Sequence, residues 1–175
     1  MFVALYPPID RARQWLAVVR DFGVHSCRPT PAPAVHITLV FLGERPVERL
    51  PGIERAVREA CEGATPLLVK PQRIVSMPSR RPRLLALTTD APPALLYLQL
   101  AMRSALADEL PDGQSRAFTP HLTLCRAGRG ARLRSMHHVV SEEPFVVDHV
   151  RLVRSELASE GATHEEVMRV ALAPA

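Results

Sequence analysis

Hydrophobic positions run unbroken through Phe2, Val3, Ala4 and Leu5, which predicts a first strand. Pro7 and Pro8 then open a predicted helix through about Phe22. Its apolar residues Ile9, Ala12, Leu16 and Val19 recur at helical spacing, and Gly23 is its stop. Residues 28–33 contain Pro29, Pro31 and Pro33, which donate nothing to a ladder, so they read as an extended surface loop. That loop feeds a strand over about 35–42, left through Gly43 and Pro46. A helix over about 53–61 follows, and then strands near 67–76 and 83–89 joined through the turn-prone 78–82 segment. The amphipathic stretch 92–110 is the clearest helix. A polar turn at Asp112 and Gly113, a strand near 121–126, a short helical or irregular segment through His138, and two or three closing strands over 145–172 complete the chain. Strands and helices mix without regular alternation, which predicts an α+β fold with antiparallel sheets.

One octapeptide pattern occurs twice: HITLVFLG at residues 36–43 is echoed by HLTLCRAG at 121–128, 85 residues on. Chance at this composition predicts about 0.04 HxTL matches, so coincidence is a poor explanation. The repeat predicts two equivalent lobes, interleaved in a single domain over 1–175 because no separable linker lies between them. Side chains two apart on a strand share a face, so His36 and Thr38 project together, as do His121 and Thr123, while Ile37, Leu39, Leu122 and Leu124 turn to the core. By the same rule Cys125 falls on the face of Thr123, where it packs as a small hydrophobe rather than acting as a nucleophile. Two imidazoles and two hydroxyls facing one cavity suit hydrolysis of a cyclic phosphodiester. That reaction needs a base for water, an acid for the departing ribose oxygen, and donors for the phosphoryl oxygens.

Charge adds a preference for phosphate. The net charge is +4, and Lys70 is the only lysine among 22 basic residues, so the base is arginine, whose planar fork matches phosphate. Arginine-for-lysine bias on ordinary solvated faces explains the same composition, so charge alone establishes no RNA partner. Three cysteines without CxxC spacing, Cys27, Cys61 and Cys125, indicate neither a disulfide framework nor a zinc ribbon, and a reducing compartment fits. The N-terminus resembles a first strand rather than a signal peptide, and no apolar run reaches the roughly 20 residues a spanning helix needs. The expectation is a soluble, cytoplasmic monomer without membrane contact.

At these residues the sequence resembles the two-histidine phosphoesterase superfamily, in its RNA 2′,3′-cyclic phosphodiesterase (2′,5′ RNA ligase) branch. The likeness spans nearly the whole chain. Beyond the HxT motifs it includes FVALYPP at the N-terminus, FLG after the first motif, RPRLLAL at 81–87, FTPHLTLCR at 118–126 and the closing VRLVRSELASEG. The resemblance implies a bilobal α+β fold with two pseudo-symmetric lobes, each with an antiparallel sheet and flanking helices, and a central groove carrying the two HxT motifs. It implies opening of a 2′,3′-cyclic phosphate RNA end, of tRNA origin among other sources, to a 2′-phosphomonoester, with 2′,5′ ligation in some members. His36 and His121 would be the acid and base, and Thr38 and Thr123 the phosphate ligands. His36 is preferred as acid at the 3′ oxygen and His121 as base at water, an order the sequence leaves open.

Arg28, Phe41, Phe118 and Arg126 are candidate RNA contacts; for Phe41 and Phe118 core packing is the competing reading. Arg80, Arg81 and Arg83 form either a solvated cluster or a phosphate-steering one. Pro29, Val40 and His164 stand where the family commonly has an aromatic, a basic residue and a tyrosine, departures that bear on base preference. His25, His137, His138, His149 and His164 are read as structural. No cofactor or metal is expected, since neither a P-loop nor an HxxxH or carboxylate ligand spacing is present. Two rivals stay open: the same chemistry on another cyclic or 2′,5′-linked nucleotide, and a non-catalytic RNA-end or tRNA binding module.

Overall fold

The computed structural model describes residues 1–22, 27–111, 117–128, 131, 133–158 and 161–173. The predicted helix stop at Gly23, the polar turn at Asp112 and Gly113, and His25 lie outside them. Along the chain come β1 (Phe2–Leu5), α1 (Ile9–Asp21), β2 (Cys27–Pro29), β3 (Ile37–Phe41), α2 (Leu50–Ala60), β4 (Leu67–Val69), β5 (Pro71–Met77) and β6 (Leu84–Thr89). Then follow α3 (Pro93–Ala105), β7 (His121–Ala127), β8 (His137–Val139), β9 (Phe145–Val147), β10 (His149–Ala158) and β11 (Gly161–Ala171). Among the described residues no helix is long and apolar enough to cross a membrane.

The strands form one nine-stranded sheet in the order β11-β10-β1-β3-β7-β6-β5-β8, with β2 added on β7, and a two-stranded sheet of β4 and β9. Every pairing is antiparallel. The first lobe holds β1, β3, β10 and β11, so it joins the first strand to the last two, and the second holds β5 to β8. The two lobes join at a single pairing, Ile37 opposite Leu122, and there their sheets run on as one.

Four predicted elements differ in detail, the first being the segment expected to be helical or irregular through His138, which ends in β8 (His137–Val139) because it finds a ladder on β5. The proline-rich loop contains a strand, because Arg28 pairs with Arg126 of β7 and Pro29 sits at the strand's end, where its missing N–H is tolerated. The strand predicted over 67–76 is two: Pro71 breaks the ladder, and β4 leaves the large sheet to pair with β9. The long helix stops at Ala105 and passes into a 3₁₀ turn at Ala107–Glu109.

One face of the large sheet carries the core. Val3, Leu5, Ile37, Leu39, Leu122 and Leu124 pack there against Trp15 of α1, Ile53 and Val57 of α2, and Leu95 and Met102 of α3. Each helix buries its apolar stripe on the sheet, so the opposite face of the central strands is left for polar side chains. Gly43 leaves β3 with φ 72°, a left-handed conformation that glycine adopts without steric cost.

Leu122 is fully buried where the lobes meet. Leu122→Ala is expected to lower the unfolding free energy by about 2–5 kcal/mol, read from urea denaturation. A loss under about 1 kcal/mol would mean that the junction is loosely packed and does not hold the lobes together.

Candidate active site at the junction of the two lobes

His121 opens β7, and His36 stands one residue before β3. The flanking Ile37, Leu39, Leu122 and Leu124 are buried on the helix side, so alternation turns Thr38, His121 and Thr123, and His36 before them, to the opposite face. Continuing the Ile37–Leu122 register by one residue each way sets His36 across from Thr123 and Thr38 across from His121.

The two rings are anchored alike. His36 Nδ1 lies 2.7 Å from the carbonyl oxygen of Ala34, and His121 Nδ1 lies 2.8 Å from that of Thr119, in both cases two residues upstream. A carbonyl only accepts, so each Nδ1 carries the hydrogen and donates it. Each Nε2 is then the atom presented outward, as acceptor in the neutral ring and as donor in the protonated one.

Just past each threonine the strand bulges. Val3 pairs with Val40 but Ala4 with Thr38, which makes Leu39 the extra residue. Leu85 pairs with Cys125 but Ala86 with Thr123, which makes Leu124 the extra one. The carbonyls of both bulged residues find donors: Gln99 Nε2 for Leu39 at 3.3 Å, and the Thr30 backbone N–H for Leu124 at 2.8 Å. A bulge reverses the in-and-out order of everything beyond it. Val40 and Cys125 therefore go into the core, while Phe41 and Arg126, which occupy equivalent places in the two copies, turn out to the histidine face. Arg28 lies opposite Arg126 across β2 and β7, on that same face.

Around this shared frame the two histidines have different company. His36 stacks on Phe2 with ring centroids 4.6 Å apart, touches Tyr6 at 5.5 Å, and meets the His164 ring edge-on at 5.2 Å. Burial among these rings is the main reason that the His36 pKa is held down at about 4. The Ala34 carbonyl opposes that shift, and the charges of His164, Arg126 and His121 add to it. Burial also pushes Tyr6 up to about 12, against the pull of Arg151, whose guanidinium lies 4.5 Å over the Tyr6 ring. Sequence reasoning missed Phe2 and Tyr6 as site residues and took His164 as structural. The alternation of β1, with Val3 and Leu5 in the core, was the available signal for Phe2.

The structure thus gathers His36, Thr38, His121, Thr123, Arg28, Phe41 and Arg126 on one face, and Phe41 is 52% exposed there. Phe118 is different: it is half-buried and packs against the main core. Cys125 does not share the face of Thr123, because the bulge redirects it. It is bonded to Cys27, with Cα atoms 5.8 Å apart, which corrects the expectation of no disulfide. That expectation failed with the loop reading of 28–33, since it is the β2–β7 pairing that brings Cys27 across. Cys61 is free and buried, and burial pushes its thiol up to about 11. Among the described residues no three His, Cys, Asp or Glu side chains are grouped to hold a metal ion.

A duplicated histidine–threonine strand pair on a shared antiparallel sheet is the frame of a two-histidine phosphoesterase. Residues 3–158 match the model of the 2′-5′ RNA ligase superfamily, and the chain belongs to that family. It is 28% identical over 180 residues to an RNA 2′,3′-cyclic phosphodiesterase of Thermus thermophilus, covering 98% of this chain and 89% of that one. Among solved structures it resembles TT0787, also of Thermus thermophilus, with a TM-score of 0.85 and 25% identity over 99% of this chain and 97% of that one. E. coli LigT complexed with 3′-AMP shares the fold, with a TM-score of 0.77 and 23% identity over 98% and 96% of the two chains.

If burial against Phe2 sets the state of His36, Phe2→Ala should raise its pKa from about 4 toward the ordinary value near 6.5, read from the imidazole proton shifts during an NMR pH titration. An unmoved midpoint would assign the shift to neighbouring charges instead.

Proposed function

We propose that this protein is an RNA 2′,3′-cyclic phosphodiesterase that opens terminal cyclic phosphates to 2′-phosphomonoesters by metal-independent acid–base catalysis. The observation that carries the reading is the matched pair of histidines, each held by its Nδ1 on the carbonyl two residues upstream, on strands that meet at Ile37 and Leu122. The name carried by the Thermus thermophilus relative supports it.

In the proposed cycle His36 is the base. With its pKa near 4 it is neutral through the physiological range, so its Nε2 accepts a proton from water as the water oxygen bonds to phosphorus. The P–O3′ bond breaks, and His121 gives an Nε2 proton to the departing oxygen as the acid of the pair. Thr38 and Thr123 donate to the non-bridging oxygens, and Arg126 and Arg28 offset the charge that develops there. Water has then been added across one P–O bond, and proton exchange with solvent returns both rings to their starting states. This order reverses the one preferred from the sequence, because burial of the His36 ring against Phe2 leaves it unprotonated and able to accept.

Hydrolysis of a short RNA ending in a 2′,3′-cyclic phosphate, with EDTA present, tests the reading. Each proton transfer is worth roughly 10²–10⁴ in rate, so His36→Ala and His121→Ala should each lose at least about 10² in kcat. Wild type that binds this RNA but leaves the ring intact would turn the reading to an RNA-end binding module. Turnover only of other cyclic or 2′,5′-linked nucleotides would keep the chemistry and change the substrate.

The pH profile orders the pair. A base must be unprotonated, so with His36 in that role kcat/KM rises with pH through about 4 and is already full on that limb at pH 6. Phe2→Ala should move that limb upward; a limb unmoved by it would return the base role to His121.

A further inference from the structure

The large sheet is charged very differently at its two ends. Residues 63–89 hold Lys70, Arg73, Arg80, Arg81 and Arg83 without one aspartate or glutamate, and the described residues of 117–141 hold Arg126 and Arg134, again without a carboxylate. These segments supply β5 to β8, the whole second-lobe half of the sheet. By contrast, β10 and β11 at the other end carry Glu156, Glu165 and Glu166. The arginines of β10 and β11 are taken up in ion pairs: Arg151 and Arg169 on Glu166 at 3.2 and 2.9 Å, and Arg154 on Glu165 at 3.2 Å.

Strand register places the second-lobe cations relative to the chemistry. One cross-strand row runs from His121 through Thr88 and Arg73 to Val139. The row beyond Thr123 runs through Ala86 and Val75 to His137, and the next through Arg28, Arg126, Leu84 and Met77. Arg73 is exposed, and at two strand spacings it stands about 10 Å from His121. The turn that carries the exposed Arg80 and Arg81 leads directly from the Met77 end of this last row. No carboxylate occupies any of the three rows.

We infer that this second-lobe face is the track for the RNA strand that leads to the reacting end, its phosphodiesters lying over Arg73 and reaching Arg80 and Arg81. The inference rests on the phosphodiesterase reading for the identity of the end, and on charge placement for the path. A single strand so held releases counterions on binding, which makes affinity steeply salt-dependent without sequence preference. The ion-paired first lobe offers no such track, so the terminal cyclic phosphate meets His36 and His121 with the rest of the RNA extending away from β10 and β11.

The experiment compares a nucleoside 2′,3′-cyclic phosphate with an RNA of about 12 nucleotides carrying the same end. For both it measures kcat/KM at about 50 and 200 mM salt, with oligomer binding read separately by fluorescence anisotropy. Wild type should prefer the oligomer, and salt should erode that preference. The double variant Arg73→Gln/Arg81→Gln should cut oligomer kcat/KM about tenfold, keep turnover of the nucleoside, and flatten the salt slope by about 1.4, at 0.7 for each lost phosphate contact. Arg13→Gln/Arg154→Gln removes two exposed charges elsewhere and should leave the preference intact. Equal kcat/KM for the two substrates at both salts, or equal damage from the two double variants, would overturn the track while leaving the phosphodiesterase reading standing. Salt-sensitive oligomer binding that needs Arg73 and Arg81, with neither substrate hydrolysed, would uphold the track and remove that reading.

Discussion

The site depends on a single place where two strands meet. β3 and β7 touch edge to edge only where Ile37 faces Leu122, and both side chains lie in the core. Because side chains alternate along a strand, burying that pair leaves each motif's histidine and threonine nowhere to go but the opposite face. A slip of one residue would send His36 and Thr38 into the core and bring Ile37 and Leu39 out, at a cost of several buried aliphatic side chains. The hydrophobic effect therefore fixes the register, and the register fixes the chemistry.

The same core explains why two near-copies of a motif have different surroundings. The backbone is duplicated down to the bulge past each threonine and the carbonyl under each Nδ1. What flanks the backbone is not. β1 and β11 bring Phe2, Tyr6 and His164 against His36, while Thr88 of β6 stands beside His121. The proposed acid–base cycle needs two imidazoles in opposite protonation states, and a symmetric site would give both the same affinity for a proton. Aromatic burial on one side is a physically simple way to separate them.

Much of this was legible in the sequence. The 85-residue repeat and the alternation around it named the two histidines and two threonines and assigned their face, because those readings need only period-two geometry. The same rule then failed one bulge later. It put Cys125 on the polar face and gave no reason for Arg126 or Phe41 to be there, since an extra residue in a strand leaves no mark in a hydrophobic pattern. The Cys27–Cys125 bond was hidden by Pro29 and Pro31, which argued against a strand whose short pairing with β7 tolerates them. Tyr6 and His164 reach His36 only through the β1–β3 and β10–β11 pairings, contacts that are long in sequence and carry no local signature.

The bulges also tie the two kinds of function together. Past each threonine, the reversal of facing that buries Val40 and Cys125 turns Phe41 and Arg126 outward, so one local irregularity both closes the core and furnishes the rim of the site. At equivalent places the first lobe presents an aromatic ring and the second a guanidinium. Those two groups favour different parts of a nucleotide: a ring suits the apolar face of a base or ribose, and a guanidinium suits a phosphate oxygen. Duplication supplied the two positions. Divergence at just those positions gives the face a direction, which a strictly symmetric protein could not offer to a substrate whose two ends differ.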